Sequence, residues 1–596
     1  MNKTGKRWIC VLALLMCLCL LLTSCAPAPQ QPAGNSEAQV ENLAKLCKVW
    51  GYVKYTHPVF LLGEKDWDEE LLKLIPAVSE ADSDEVNGIL HEWVDSLGEV
   101  DYGTLNRVPL WAAAKEEEIS VQADTSWISA DYLGEELTQQ LSQLGPVPNI
   151  DRSKAPVQFN QEGVPDFQSE KTDPNCSYQK EEERLLGLFR VWNVIEYYFP
   201  YIDVMDESWH DLLDEFIPKI VEENDRQGFE LVLLEMTAHL HDLHTGIVIQ
   251  NTLQDFWGEY LAPVNLIRTK EGEWIVCKVF GNCPLQVGDV ILGLDGTEVK
   301  KIEKNREKYL SVPNEKKLYQ GMALYLLRSK SNTMDITILR NEKEETYTVT
   351  GTKQYTNLSW KEEKSHEILE KNIGVINPSL IPEGDTESVV SQIMNDLCNT
   401  NGLIIDLRQY PSDPNMHMFL SMYLQKKGTV YSVMTIPSQS VPGTFINRKI
   451  SSIGVATGAF YYEKPVVLLM DERSMSSSEF SIMHLRTGDH VVVIGSSSAG
   501  VDGNVTELPL PNGNHLRFTS FGVYTPEMGQ TQRVGLAPDI EVYPTIEGIK
   551  EGRDELMEAA IAYIQEQLQS APAAEGKSEP PLGSEENPIA EEPRAE

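Results

Sequence analysis

Apolar residues recur at helical spacing in two distant segments of the chain, residues 39–105 and 181–250. In each segment a proline interrupts the helical pattern, which then resumes from a tryptophan. The pattern predicts two helical domains, and the second is a copy of the first because four rare residues recur at a constant offset of 142. The matched pairs are Trp50 and Trp192, Pro58 and Pro200, Trp67 and Trp209, and Pro76 and Pro218.

The pattern changes after the helical segments, which residues 106–180 connect. Residues 251–352 are rich in strand formers, and 285–296 combine a Gly-Asp turn, an apolar strand and an Asp-Gly hairpin signal. From 353 to 568 apolar strands alternate with helical stretches, which predicts an α/β core. We expect its strands at 373–377, 402–408, 465–470 and 490–495.

The N-terminus has the pattern of an export signal. Three basic residues precede an apolar run over 8–22 that is too short for a comfortable membrane span. The run ends in a Leu-Thr-Ser-Cys sequence that resembles the bacterial lipobox, which implies that residues 1–25 are a signal peptide and that Cys25 is lipidated. The Pro- and Ala-rich residues 26–38 predict a disordered linker, and 569–596 predict a disordered acidic tail.

Composition narrows the choice of partners. The 596 residues are too many for one core, and 90 acidic against 50 basic residues give a formal charge of −40. This charge disfavours nucleic acid and anionic membrane surfaces as partners. The five cysteines beyond Cys25 are scattered, and no Cys/His cluster has metal-ligand spacing. We expect no metal and no other cofactor.

Ser476 is the first candidate for chemistry. It follows the apolar strand at 465–470 and precedes a helix-compatible stretch from Phe480. A strand-to-helix turn raises a hydroxyl clear of the sheet and directs the first N–H groups of the helix at developing negative charge. Ser-rich helix starts are also common caps, so the serines at 474–478 have a purely structural interpretation as well.

His244 is the second candidate. It ends a helical stretch at 240–246, far from Ser476 in sequence, as residues of a folded catalytic triad usually are. The corresponding part of the first copy, 93–103, has no such histidine. His239 and His241 are better interpreted as solvated or capping residues.

Six segments occur in the order of one family. They include the histidine segment, the Gly-Asp hairpin of 285–296, residues 404–408, Ser476 to Glu479, the serine-rich 495–500 and the Gly-Leu-Ala-Pro-Asp sequence at 535–539. Over about 183–545 the chain therefore resembles the C-terminal processing peptidase and tricorn protease group of serine peptidases. The resemblance implies a multidomain α+β protein with a helical N-terminal part, a PDZ-like domain and a ClpP/crotonase-like α/β core.

The resemblance also assigns roles. It places the nucleophile at Ser476 and one oxyanion N–H at Ser477. One branch of the family has a lysine base after the glycine loop, but residues 500–503 contain none, so a Ser–Lys dyad is disfavoured and His244 matches the base of the tricorn-like branch. Gln532 occupies the place of the glutamate that orients this histidine there, and Asp242 and Asp502 are alternative orienting groups.

The second oxyanion donor departs from the family pattern. After residues 406–408, which we interpret as structural, the family commonly has an asparagine and two glycines, whereas this chain has Gln-Tyr-Pro-Ser-Asp at 409–413. The donor then falls on Ser412 or Asp413. Because one oxyanion donor is typically worth about 100- to 1,000-fold in rate, this difference bears directly on activity.

The sequence predicts a lipid-anchored serine endopeptidase on the extracytoplasmic face of the cell membrane, with Ser476 as nucleophile and His244 as base. Its substrate would be a peptide or protein. The PDZ-like domain either captures this substrate by its C-terminus or is a small β-barrel that only gates or braces its neighbour. The alternative is a catalytically weak or inactive peptide-binding protein of the cell envelope. An envelope scaffold built on the duplicated helices has less support.

Overall fold

The computed structural model describes residues 37–105, 118–248, 252–269, 272–353, 364–382, 384–454 and 460–570. The predicted signal peptide with Cys25, the linker up to residue 36 and the tail from residue 571 lie outside these residues, so these features stay predictions. Within the described ranges, no helix has both the length and the apolar character needed to cross a membrane.

The N-terminal part of the described chain is mainly helical. Its helices are α1 (Glu37–Thr56), α2 (Pro58–Leu61), α3 (Trp67–Glu80), α4 (Val86–Ser96), α5 (Ala130–Leu141), α6 (Glu181–Tyr198), α7 (Trp209–Glu222) and α8 (Arg226–Ala238). Its short strands are β1 (Ile119–Val121), β2 (Gln158–Phe159), β3 (Pro165–Asp166) and β4 (Gly246–Ile247). As the prolines predicted, α1 ends before Pro58 and α6 ends before Pro200.

The two helical segments pack around one common core. Trp50 Nε1 donates to the Trp67 carbonyl at 2.8 Å, and Trp192 Nε1 donates to the Trp209 carbonyl at 3.1 Å, so the same contact occurs in both segments. Asn193 in α6 donates to the backbone of α1 at 3.1 Å. The two central helices, α1 and α6, are both buried on nearly all faces. The two predicted helical domains are thus one packing unit, because neither central helix is covered by its own segment alone.

A β-rich domain follows. It contains α9 (Thr252–Trp257), α10 (Val299–Glu307) and α11 (Glu315–Ala323), together with β5 (Tyr260–Leu261), β6 (Val264–Arg268), β7 (Trp274–Val279), β8 (Val290–Leu294), β9 (Thr297–Glu298), β10 (Arg328–Ser329), β11 (Thr333–Arg340) and β12 (Lys343–Thr350). The main sheet has the order β12-β11-β8-β7-β6, with β9 beside β8. Strand β6 ends this order, and α11 packs beside it.

The last part is the predicted α/β core. Its helices are α12 (Thr386–Leu397), α13 (Met416–Leu424), α14 (Ser477–Leu485), α15 (Ile546–Glu551) and α16 (Glu555–Ser570). Its strands are β13 (His366–Leu369), β14 (Ile373–Ile376), β15 (Gly402–Asp406), β16 (Val430–Pro437), β17 (Phe445–Ser451), β18 (Val466–Met470), β19 (Val491–Gly495), β20 (Val505–Pro509), β21 (His515–Thr519), β22 (Gly522–Tyr524) and β23 (Ile540–Glu541).

The central sheet of this core has the order β13-β14-β15-β18-β19-β23 and is parallel from β14 onward. Its strands are apolar on both faces, as expected for a covered parallel sheet. Leu403 and Ile405 face α12, α13 and α14, whereas Ile404 faces α16. Consecutive residues of β15 therefore enter different cores, and the sheet holds the carboxyl end of β18 in a fixed position.

Two smaller antiparallel sheets join the helical part to the α/β core. One has the order β20-β21-β4, and the other has the order β1-β17-β16-β22. In the first sheet, Ile247 of β4 pairs with Leu516 of β21. Because β4 begins two residues after His244, this pairing brings the histidine segment to the α/β core.

A buried histidine pair joins α13 to α14. The Nδ1 atoms of His417 and His484 lie 2.6 Å apart, and the Tyr431 ring stacks on His484 with ring centroids 4.0 Å apart. Burial lowers the pKa of His417 to about 4 and that of His484 to about 3. Both rings are therefore neutral near pH 7.

We expect acid to destabilise the α/β core between about pH 6.5 and about pH 4. Unfolded histidines take up protons near pH 6.5 whereas the folded pair does not, so the free energy of unfolding falls as the pH falls, by about 1 kcal/mol per pH unit for each histidine. Denaturant unfolding at several pH values measures this loss. His484→Phe keeps a ring against Tyr431 and should show a smaller pH dependence; an unchanged dependence would count against the prediction.

Candidate active site

Ser476 lies where the sequence predicted, in the turn between β18 and α14. Its backbone has φ 50° and ψ −117°, a conformation that a non-glycine residue adopts only when its surroundings enforce it. The enforcing contacts are on its N–H, which donates to the Val501 carbonyl at 2.6 Å and to the Glu479 carboxylate at 3.2 Å. Its side-chain oxygen accepts the Glu479 N–H in a capping box. Its O–H donates to no described residue, so the turn presents a hydroxyl with an undonated proton at the start of a helix.

Glu479 holds this turn together. Its buried carboxylate accepts hydrogen bonds from Ser498 Oγ at 2.5 Å, Gly500 N at 2.9 Å and Val501 N at 2.9 Å, besides the one from Ser476. Burial raises the pKa of Glu479, and these donors lower it in part. The carboxylate thus fastens the 498–501 loop beneath the serine. Sequence analysis identified Glu479 only as part of a motif. Its position three residues after a helix-capping serine is the signal that could have predicted its structural role in the turn.

Replacing Glu479 with glutamine is expected to destabilise the α/β core by about 2 to 4 kcal/mol. Glutamine keeps one acceptor oxygen and turns an NH₂ group toward backbone N–H donors that then lose their partner. Urea unfolding measures the change. Glu472→Gln is the matched control, because Glu472 lies in the same turn but accepts only from Ser496 at 3.1 Å. Equal stability of the two variants would contradict this role for Glu479.

His244 lies in the turn between α8 and β4 and is buried. Its Nδ1 atom is 2.9 Å from Thr519 Oγ1 and 3.6 Å from Asp242 Oδ1. Its Nε2 atom makes no hydrogen bond to any described residue. Burial lowers the pKa of His244, with Asp242 opposing this change. The ring is therefore neutral near pH 7, and a proton on Nδ1 leaves Nε2 free to accept another.

The structure brings His244 and Ser476 to the same loop but does not join them by a hydrogen bond. Ser476 N–H contacts Val501 at the start of this loop. Two residues later, Gly503 packs so closely on the Thr519 strand that an added Cβ would lie 2.8 Å from Thr519 Cγ2. Thr519 in turn contacts the His244 ring. The 501–503 loop thus contacts both segments, and a direct proton transfer requires His244 Nε2 and Ser476 Oγ to come within hydrogen-bond reach or to share a bridging water.

Gln532 does not contact His244. Its Oε1 atom accepts from Asp502 N at 3.3 Å, and its Nε2 atom donates to the His241 carbonyl at 3.5 Å. The side chain therefore bridges the backbone of the 501–503 loop and that of the histidine turn. The role expected from its sequence position, orienting the imidazole, is not seen in this arrangement.

Of the two alternative orienting groups, Asp242 lies beside the ring. Its Oδ1 atom accepts the His244 N–H at 3.0 Å, and its buried Oδ2 atom has no hydrogen-bond partner among the described residues. Asp502 is also buried, and burial together with the nearby Glu479 charge raises its pKa well above the usual range, which favours the neutral acid. Asp242 is thus the carboxylate that the structure places beside His244.

The three predicted oxyanion donors differ in availability. The Ser477 N–H, in the first turn of α14, has no hydrogen-bond partner in the described residues. The Ser412 N–H donates to the Pro378 carbonyl at 3.2 Å and is therefore occupied. The Asp413 N–H has no partner in the same ranges, and its carboxylate accepts from the Thr386 hydroxyl. Of the three, the N–H groups of Ser477 and Asp413 are therefore the ones without a hydrogen-bond partner in the described residues.

Sequence reasoning missed Lys317 on α11 of the β-rich domain. The lysine is almost fully buried, and burial lowers its pKa to about 8, while Glu479, Glu472 and Asp471 act to raise it. These carboxylates belong to the turn and helix start that carry Ser476. A search for a lysine near the glycine loop could not find it, because it comes from a different domain and about 160 residues earlier in the chain.

Asn314 explains how Lys317 reaches this position. It caps the N-terminus of α11 by accepting from Lys317 N, and its Nδ2 donates to the carbonyls of Ala499 and Arg533, both at 3.0 Å. One asparagine therefore docks the β-rich domain onto the loop that Glu479 fastens. The site is assembled from three parts of the fold.

Comparisons with known proteins concern the family and the fold. Residues 372–542 match peptidase family S41. They form an S41 peptidase domain. A carboxy-terminal-processing protease of Bartonella bacilliformis is 35% identical over 80 residues, which are 13% of this chain and 18% of that protein. The nisin-resistance protein of Lactococcus lactis is 28% identical over 148 residues, which are 24% of this chain and 46% of that protein. The chain thus spans less than half the length of both relatives.

Among solved structures, mature CPAF is similar with a TM-score of 0.51 at 13% identity, covering 66% of this chain and 99% of that one. The complex of mature CPAF with lactacystin gives a TM-score of 0.50 at 13% identity, covering 65% and 98%. At this identity the similarity concerns the fold. The match of residues 372–542 confirms the predicted family for this domain, and the chain is a mixed α+β multidomain protein with an S41 protease-like fold.

The S41 domain does not contain the whole site. Ser476, Ser477 and Gln532 lie inside the matched residues, whereas His244 and Lys317 lie outside them. The family match therefore supports a serine peptidase but does not choose between a histidine and a lysine base. No group of three or more metal-binding side chains occurs in the described ranges.

Proposed function

We propose that this protein is a cell-surface lipoprotein serine endopeptidase that forms an acyl-enzyme on Ser476, with His244 as general base. The observation that carries this proposal is the strained Ser476 turn, in which a hydroxyl that donates to no described residue and the free Ser477 N–H lie together at the start of α14. Strain of this kind costs about 1 to 3 kcal/mol and persists where the surrounding structure enforces it, as at many active sites.

In the first half-reaction, Ser476 Oγ attacks the substrate carbonyl carbon and its proton passes to His244 Nε2. The carbonyl oxygen becomes an oxyanion, which the N–H groups of Ser477 and Asp413 are available to bind. The C–N bond then breaks, and His244 gives its proton to the leaving amine. Asp242 holds the ring through its contacts to the His244 backbone and to Nδ1.

In the second half-reaction, a water molecule replaces the amine. It attacks the acyl carbon as His244 Nε2 accepts its proton, the ester bond to Ser476 breaks, and the proton returns to Oγ. The released product carries a new C-terminal carboxylate. Because burial lowers the pKa of His244, the base is available at and below neutral pH.

The β-rich domain supports a role in peptide capture. We propose that it is PDZ-like: β6 lies at the end of the main sheet order, and α11 packs beside it, which forms the edge and wall of a strand-addition groove. Docking of Asn314 and Lys317 at the catalytic turn then couples this groove to the site. The carboxy-terminal-processing activity named for one relative fits substrates that are recognised by their C-termini.

We also propose attachment to the extracytoplasmic face of the cell membrane through lipid on Cys25. The support is in the sequence, where a short apolar run ends at a lipobox-like cysteine followed by a proline-rich linker. The duplicated helical segments then stand between the anchor and the peptidase domain. We infer no nucleic-acid partner, because the chain carries a formal charge of −40.

The second candidate is a peptide-binding protein of the cell envelope with weak or no catalysis. Two observations favour it. His244 and Ser476 form no hydrogen bond with each other, and the Gln532 side chain forms its hydrogen bonds with backbone groups instead of with His244. In this case the PDZ-like groove retains its use and the serine turn is a structural remnant.

Cleavage of an unfolded protein tests the choice. Residues 26–596 are incubated with β-casein, and the fragments are identified by mass spectrometry. An endopeptidase produces internal fragments that disappear in the Ser476→Ala variant, whereas the binding protein produces none in either sample. Removal of single residues from the C-terminus alone would contradict endopeptidase action.

A further inference from the structure

Arg152 is buried without a counter-ion in the segment between α5 and α6. Only 8% of its surface is exposed. No carboxylate within the described part of the chain lies within salt-bridge distance, and the one group that acts to raise its pKa is Tyr198, so burial lowers the pKa of the guanidinium. An unpaired buried charge is costly, and proteins rarely retain one without a use.

The hydrogen bonds of Arg152 are also incomplete. Its Nη2 donates to the Gln439 carbonyl, and its buried Nε has no partner in the described ranges. A guanidinium offers five N–H donors. Arg184, another buried arginine without a salt bridge, donates to three backbone carbonyls. Arg152 thus keeps donors that its own chain does not use.

Arg152 is one of the residues that line a cleft of about 630 Å³. Strand β2 and the 149–153 turn form one side of the cleft, and Gln439 and Arg448 from the β16–β17 region form the other. Phe159 belongs to β2, and the centroid of its ring lies 5.5 Å from the guanidinium carbon of Arg152. A cleft of this volume accepts the end of a peptide rather than a whole domain.

We propose that this cleft binds a carboxylate of a peptide, with Arg152 as the residue that recognises the charge. A planar carboxylate matches the guanidinium fork, and the acidic Asp151 and Glu162 on the lining disfavour the higher charge of a phosphate. Identifying the ligand as a peptide rests on the proposed function. The carboxylate is either the C-terminus or an acidic side chain, and the experiment separates these sources.

Binding is measured with the Ser476→Ala form of residues 26–596, so that it does not depend on catalysis. The probes are three fluorescent N-acetylated pentapeptides: one with a free C-terminus and no acidic residue, its C-terminal amide, and the same amide with one glutamate. We expect Arg152→Met to weaken binding of a carboxylate peptide by about 10- to 100-fold and to leave the neutral amide unchanged. The peptide that loses affinity identifies the source of the carboxylate.

Arg553→Met is the matched control, because Arg553 is a surface arginine paired with Glu558. It should bind every peptide like the parent, which shows that loss of an arginine charge from the surface does not cause the difference. Arg152→Lys retains the charge without the fork and should give intermediate affinity if the methionine variant does not fold. Equal affinity of the parent and both Arg152 variants for all three peptides, or no binding by the parent, would overturn the proposal. Cleavage of β-casein tests the peptidase function separately.

Discussion

Replacing Ser476 with alanine is expected to abolish peptide hydrolysis, with kcat falling by about 10⁶-fold. The hydroxyl is the nucleophile of the proposed reaction, and the variant also loses the capping bond from the Glu479 N–H to the Ser476 oxygen. Initial rates on a quenched fluorescent peptide derived from a β-casein cleavage site measure the change. Because the contacts of the Ser476 N–H are retained and only this cap is lost, the thermal midpoint should fall by no more than a few degrees.

Ser477→Ala is the matched control for this prediction. The proposed function uses the Ser477 backbone N–H and not its hydroxyl, so this variant should retain activity within a few-fold. A parent-like rate in Ser476→Ala, or an equal loss in both variants, would show that the turn does not supply the nucleophile.

Replacing His244 with alanine is expected to lower kcat/KM by about 10⁴- to 10⁶-fold. The parent should show activity that rises with pH through a pKa below the ordinary histidine value of about 6.5, because burial lowers the pKa of His244. The variant should lose this step in the pH profile. His241→Ala is the matched control, since His241 lies in the same turn. Its Nδ1 donates to the Val312 carbonyl at 3.3 Å, and its Nε2 lies 3.2 Å from Asp206 Oδ2.

Lys317 provides the competing outcome. If Lys317 were the base, the parent activity would rise with pH around 8, where burial places the lysine pKa, and His244→Ala would remain active. Lys317→Met would then abolish hydrolysis with no loss of the serine turn. The pH profile and the two variants together separate a histidine base from a lysine supplied by the β-rich domain.

Local features of the site were accessible from the sequence. The strand before Ser476 and the helix after it follow from an apolar run, a serine-rich turn and an amphipathic stretch, all within about 20 residues. The same holds for the breaks at Pro58 and Pro200, since proline removes a helical N–H donor and disfavours helical backbone at the residue before it. The rule is not absolute, because Pro76 and Pro218 lie inside α3 and α7. The order of short motifs along the chain predicted the family, which the match over 372–542 confirms.

Features that depend on tertiary packing were not accessible. Burial of Lys317 results from domain docking through Asn314, and no residue pattern near the lysine signals it. Gln532 occupies the sequence position of an orienting group, but its side chain turns to backbone atoms at the loop and the histidine turn. Whether two helical copies form two domains or one depends on side-chain fit between α1 and α6, which periodicity does not specify.

Labelling by a fluorophosphonate is the most direct test of an activated serine at residue 476. Residues 26–596 of the parent, Ser476→Ala and His244→Ala are treated with the reagent at neutral pH and examined by intact-protein mass spectrometry. The proposed mechanism predicts one adduct on the parent, mapped to Ser476, and none on either variant. The Asn314→Ala variant, which releases the β-rich domain from the turn, is labelled in parallel. If both the parent and this variant stay unlabelled, the result would contradict the proposed mechanism and favour the peptide-binding protein.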